Sequence, residues 1–203
     1  MSRAALLDME LRYVADDDVV VATTLGEVNE ARLTGGRPVR LPRSRAGQRH
    51  YCGLFWSATM ATHVVYESLL ELDRLWLADF DMDVVRIAAQ PMWLCGREGS
   101  TLRRHVPDLL LHRRDGGALI VDVKPTQFLE VPEIAAVLAW TGRACRARGW
   151  DYQVWSGADR TVLANVRYLG RTRRPDVVPV EAVGWLGQMD PRGRYLHLNS
   201  VRP

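Results

Sequence analysis

The sequence predicts a mixed α/β core that runs helix, three-stranded antiparallel meander, helix, strand. Three observations point there. The chain has 203 residues, of which 47% are hydrophobic, enough to bury one good core. Apolar residues recur at helical spacing over 59–80 and again over 131–149. Between these stretches, short apolar runs are punctuated by Pro and by the turn signal Asp115-Gly116-Gly117.

The elements follow in chain order. Residues 1–48 read as an N-terminal segment and Arg-rich arm. DDDVVVATTL has the pattern of a short strand after an acidic turn. GGRPVRLPRSRAGQRH, 35–50, reads as a loop whose Arg40, Arg43, Arg45 and Arg49 either contact phosphates or form a solvated connection. Residues 49–170 hold the core. Val64, Leu69, Leu72, Leu75 and Trp76 give the first helix its apolar face, with Ser57 or Thr59 as its cap. Glu67 and Glu71 lie four apart on one side of it. MDVVRIAAQPMWLC, 82–95, reads as one strand bent at Pro91. VPEIAAVLAWTGRACRARGW is the second helix, opened by Pro132 and closed by Gly149. DYQVWSG is the last strand, and TVLANVRYL a short helix or strand. Residues 171–203 form an Arg-, Pro- and Gly-rich tail.

The stretch between the helices, RRHVPDLLLHRRDGGALIVDVKP, carries the chemistry. Folding at the Gly pair brings Asp108 opposite or next to Asp122, because antiparallel partners face each other. Asp122 and Lys124 are two apart and share a strand face. Asp108, Asp122 and Lys124 therefore converge. Lys124 is the sole Lys among 27 basic residues. Arg is a permanently charged planar fork, whereas Lys is a compact point charge, so a site needing the ammonium resists replacement. An exposed salt bridge is the plainer account. Two facing carboxylates repel, however, and a divalent cation between them relieves this better than one Lys. Mg²⁺ typically takes one or two carboxylates plus water and phosphate.

Bulk properties narrow the classes. Net charge is +3 with a pI near 9.0, which permits nucleic-acid binding. Cys52, Cys95 and Cys145 form no paired or zinc-ligand pattern, so reduced thiols and a cytoplasmic location are expected. The N-terminus lacks a secretory apolar core, and no stretch approaches a membrane span.

Glu67 in the first helix region, PD at 107–108 and DVK at 122–124, in this element order, resemble the PD-(D/E)xK nuclease superfamily. GQRHYCGLFWSATMATHVVYESLLE, VVRIAAQP, RRHVPDLLL and VDVKP are similar to the catalytic domain of TnsA-like transposase endonuclease subunits. The resemblance covers about 47–168. It implies a restriction-endonuclease-like fold and a catalytic set of Glu67, Asp108, Asp122 and Lys124. Mg²⁺ or Mn²⁺ would be held by Glu67, Asp108, Asp122 and the Val123 carbonyl. Glu71 is a near-equivalent acid beside Glu67, and Gln90 and Gln127 are supporting or DNA-contacting candidates. The implied substrate is double-stranded DNA at the ends of a mobile element. Implied partners are a separate transposase and transposition regulator subunits, with a homodimer left open. The residues alone equally suit an autonomous restriction, repair or junction-resolving nuclease. A non-catalytic DNA-binding assembly subunit with the same fold is the alternative of a different class.

Overall fold

The computed structural model describes residues 1–40 and 51–173. Arg43, Arg45, Arg49 and almost all of the expected tail lie outside them. The described chain is mixed α/β. A four-stranded sheet is formed by β5 (Val84–Ala89), β8 (Leu109–Arg113), β9 (Ala118–Val123) and β10 (Asp151–Trp155), in the order β10-β9-β8-β5. The β5–β8 and β8–β9 joins are antiparallel, and β10 lies parallel to β9. A parallel neighbour needs a crossover, and helix α4 (Pro132–Arg148) supplies it.

The sheet is covered on both faces. Alternation along β8 and β9 sends Leu110 and Ile120 one way, and Leu109, Leu111, Val121 and Val123 the other. The first face packs against α4 through Trp140, Ala144 and Cys145. The second packs against helix α3 (Leu69–Phe80) through Leu75 and Ala78. Helix α5 (Arg160–Arg171) lies against α3, and Gly170 leaves room for Trp76, whose ring a Cβ there would meet at 2.9 Å. α4 begins with Pro132 in its first turn and ends at Gly149, whose φ of 89° suits glycine. Both boundaries match the sequence reading.

Three expectations change. The first helix begins at Leu69. Residues 53–66 instead form a hairpin, β3 (Gly53–Ser57) and β4 (Thr62–Tyr66). Ser57 and Thr59 do not cap a helix. They sit in the hairpin turn, where the buried Asp79 of α3 accepts from Ser57 Oγ (2.6 Å) and from the Thr59 amide (2.9 Å). The true cap is Ser68, whose Oγ accepts from the Glu71 amide at 3.1 Å. Glu67 therefore precedes the helix.

The strand expected over 82–95 is two strands, β5 and β6 (Trp93–Glu98), broken at Gln90-Pro91 where Gln90 takes a φ of 44°. β6 pairs with β7 (Thr101–His105), so this hairpin interrupts the expected meander between β5 and β8.

The N-terminal segment also joins the core. β1 (Glu10–Val14) pairs with both β2 (Val20–Thr24) and β6, giving a second antiparallel sheet, β2-β1-β6-β7. Short helices α1 (Arg3–Leu7) and α2 (Glu30–Gly35) accompany it, and Leu6, Met9 and Leu11 share a hydrophobic cluster with Leu110, Ile120 and Trp140. No helix among the described residues is long and apolar enough to cross a membrane.

Candidate active site

The hairpin register places Leu109 opposite Val121, so Asp108 continues it to face Asp122. Asp108 is 3% exposed. Its Oδ2 accepts from the Val123 amide at 2.7 Å and lies 3.5 Å from Lys124 Nζ. Burial raises the Asp108 pKa, Lys124 opposes the rise, and Asp122 adds to it. Asp108 and Lys124 line an open cleft of about 510 Å³ with Arg40, Trp93, Arg104, His105 and Glu133. Arg40, Arg104 and Lys124 thus place three cations around the rim, a fit for a polyanion.

Glu71 arrives from the first turn of α3. Its carboxylate accepts from Ser68 Oγ (3.0 Å) and from the Glu67 amide (2.9 Å), completing a capping box on Ser68-Leu69-Leu70-Glu71. A cap alone needs no burial, yet Glu71 is 7% exposed. Burial pushes its pKa up to about 7, and the nearby Asp108 charge contributes further. Glu71 and Asp108 are therefore two buried acids, and the Asp108 charge bears on Glu71.

The remaining candidates fall differently. Glu67 turns to the exposed Arg40, with Oε2 2.8 Å from the guanidinium Nη2. Of the two glutamates, Glu71 is the buried one on which the Asp108 charge bears. Asp122 is fully buried, and both its oxygens are engaged: Oδ1 lies 2.7 Å from His105 Nε2, and Oδ2 accepts from Tyr152 Oη at 2.6 Å. Asp122, like Glu71, thus has a hydrogen-bond partner on each carboxylate oxygen, but unlike Asp108 it does not line the cleft. The Val123 amide donates to Asp108 and its side chain packs in the core, so the carbonyl named by the resemblance belongs to the residue that ties Asp108 to β9. Gln127 is exposed on the short 3₁₀ turn after β9.

Gln90 has no exposed surface and cannot contact DNA in this arrangement. Its amide side chain finds no partner among the described residues, while its backbone N–H donates to the Asp108 carbonyl at 2.8 Å. A left-handed residue that is not glycine stores strain, and here it pins the backbone of Asp108.

Two residues that the pattern did not single out hold Asp122, and one of them, His105, lines the cleft. His105 stands three before Asp108, at the end of a strand hidden in the sequence between β6 and Pro107. Tyr152 comes from β10. Only the pairing of β10 with β9, which sets Tyr152 beside Ile120 and Val154 beside Asp122, brings it near.

The acids can be tested against a divalent cation. Among the described residues no group of three or more His, Cys, Asp or Glu is gathered to hold a metal. Mg²⁺ does not require three, because water and substrate phosphate commonly fill most of its shell. Asp108 and Glu71, buried and with raised pKa values, fit a cation that would relieve their repulsion. Glu67 faces Arg40, and Asp122 faces His105 and Tyr152. No protein-family model matches the chain, and a search of the curated proteins finds no relative.

Proposed function

We propose that this chain is a divalent-metal-dependent endonuclease acting on DNA. One observation carries the reading: the sole lysine, Lys124, is paired with the buried Asp108 in the wall of a cation-rimmed cleft. The order α3, β5, β8, β9, α4, β10 supports a restriction-endonuclease-like core, with β6 and β7 as an insertion.

The roles follow from the geometry. Arg40 and Arg104 meet the incoming phosphates at the rim. Asp108 and Glu71 would hold Mg²⁺ or Mn²⁺. When bound, such a cation supplies Lewis-acid polarisation of the phosphate and a more acidic water. Lys124, 3.5 Å from Asp108, sets a compact positive charge beside the phosphorus as negative charge builds on its oxygens. Its partial exposure lets it reach substrate while its carboxylate partner stays dry.

The similarity to TnsA-like subunits supports cutting at the ends of a mobile element beside a partner transposase. A second reading, a DNA-binding assembly subunit without cleavage, draws on the enclosure of Asp122. Metal-dependent nicking of plasmid DNA by the purified chain, alone and with a candidate partner transposase, separates them. Nicking lost in Asp108→Asn supports the nuclease. Cleavage only with the partner supports transposition, and autonomous cutting at a fixed sequence supports a restriction enzyme. DNA binding with no nicking under any condition leaves the assembly subunit.

A further inference from the structure

The Asp122 carboxyl group has two short hydrogen-bond contacts and no exposed surface. Tyr152 can only donate to it: burial, with Asp122 adding to the effect, drives the phenol pKa far up, so the hydroxyl keeps its proton. The other oxygen, Oδ1, lies 2.7 Å from His105 Nε2, close enough to take a hydrogen from it. A carboxylate that receives Nε2–H fixes the imidazole's tautomer and ring plane, leaving Nδ1 as an acceptor. Nδ1 makes no hydrogen bond among the described residues. The His105 ring is only 13% exposed, and it lines the same cleft as Asp108 and Lys124.

We infer that Tyr152 and Asp122 form an orienting pair that holds His105 as a water- or substrate-facing acceptor in the cleft, so that Asp122 acts through His105 and not as a metal ligand. The inference rests on the nuclease reading and adds a residue to it. It also accounts for the close packing behind the pair. A Cβ on Gly142 of α4 would come 2.8 Å from the Tyr152 ring, so glycine there lets α4 press the phenol into place.

The test uses the full chain and four variants: Asp108→Asn, Asp122→Asn, Tyr152→Phe and His105→Gln. Mn²⁺ affinity is measured by water-proton relaxation, the His105 tautomer by ¹⁵N NMR, and cleavage by plasmid nicking. Asp108→Asn should lose detectable Mn²⁺ binding. Asp122→Asn and Tyr152→Phe should keep Mn²⁺ affinity within about threefold, while the His105 ring signals move off the pure Nε2–H pattern. His105→Gln should slow cleavage on the order of 10²-fold. Asp122→Asn added to His105→Gln should then cost little more, since residues acting as one unit are not additive. Tyr152→Phe guards against an Asp122 variant that fails to fold, because it removes one hydroxyl and keeps the packing. If Asp122→Asn loses Mn²⁺ as Asp108→Asn does, or if its effect multiplies that of His105→Gln, the orienting role is wrong. If the wild-type chain neither binds Mn²⁺ nor nicks DNA, the nuclease reading fails and this inference falls with it.

Discussion

Lys124 Nζ lies 3.5 Å from Asp108 Oδ2, the ammonium about one-third exposed and the carboxylate buried. The pair spans the two strands of the β8–β9 hairpin at the end away from the turn. An exposed salt bridge contributes little, but this one sets a solvent-facing charge on a dry partner.

Lys124→Arg therefore tests whether the site needs a compact cation. The substitution keeps the charge but replaces a point ammonium with a longer fork. Cleavage by the purified variant should fall on the order of 10²–10³-fold, as for loss of one preorganised stabilising group, while folding and DNA affinity hold. Wild-type cleavage rates in Lys124→Arg would reduce Lys124 to a surface ion pair.

Glu71 makes stability depend on pH. Its folded pKa, about 7, is above the ordinary value of 4.5. Between those values the folded state holds a proton that the unfolded chain has released. Stability should therefore fall as pH rises through that window and level off above it. Glu71→Gln keeps a capping-box side chain without the charge. Denaturant melts should show the variant gaining on wild type from pH 5 to pH 8, by up to roughly 3 kcal/mol. A difference that does not change with pH would mean that Glu71 is ionised without penalty.

Metal should act on the same carboxylates. With Mn²⁺ at about 100 times its Kd, the wild-type chain should gain roughly 2.7 kcal/mol against unfolding. Asp108→Asn should gain almost nothing. Differential scanning fluorimetry with and without Mn²⁺ checks this, and equal stabilisation of both proteins would place the ion elsewhere.

Arg40 and Arg104 frame the mouth of the cleft. If both contact phosphates, the double substitution to Ala should lower the log–log salt slope of DNA binding by up to ~0.9 for each lost contact. An unchanged slope, measured by fluorescence anisotropy over a salt series, would put the DNA on another face.

Much of the site could be read from a period of two and one glycine turn. Asp115-Gly116-Gly117 fixed the hairpin, and with it the facing of Asp108 and Asp122 and the nearness of Lys124. α4 was legible because Pro132 and Gly149 mark its ends. The β3–β4 hairpin was not, for its turn carries no Gly, Pro, Asn or Asp. Ala61 takes its left-handed φ of 49°, and Asp79, distant in sequence, satisfies the turn. The apolar residues of β4 then ran on into α3 and mimicked one long helix. Side-chain choice among acids was equally hidden. Glu67 and Glu71 differ by one helical turn in sequence, but burial separates them, and burial is a tertiary fact. The same holds for Asp122, whose partners His105 and Tyr152 come from other strands.

The pairing of β1 with β6 has a consequence for synthesis. Glu10 pairs with Cys95 and Arg12 with Trp93, so the first strand made waits for the middle of the chain to emerge. Loop closure over so long a span is slow relative to local hairpins. On the ribosome, β1 and β2 can form their own hairpin at once, but its free edge stays open until β6 arrives. An open edge invites pairing with another chain. Arg12 and Glu10, an ion pair on that edge strand, put charge where a wrong partner would dock. Nascent chains stalled before Trp93 should therefore be the stage at which this protein is most prone to aggregate.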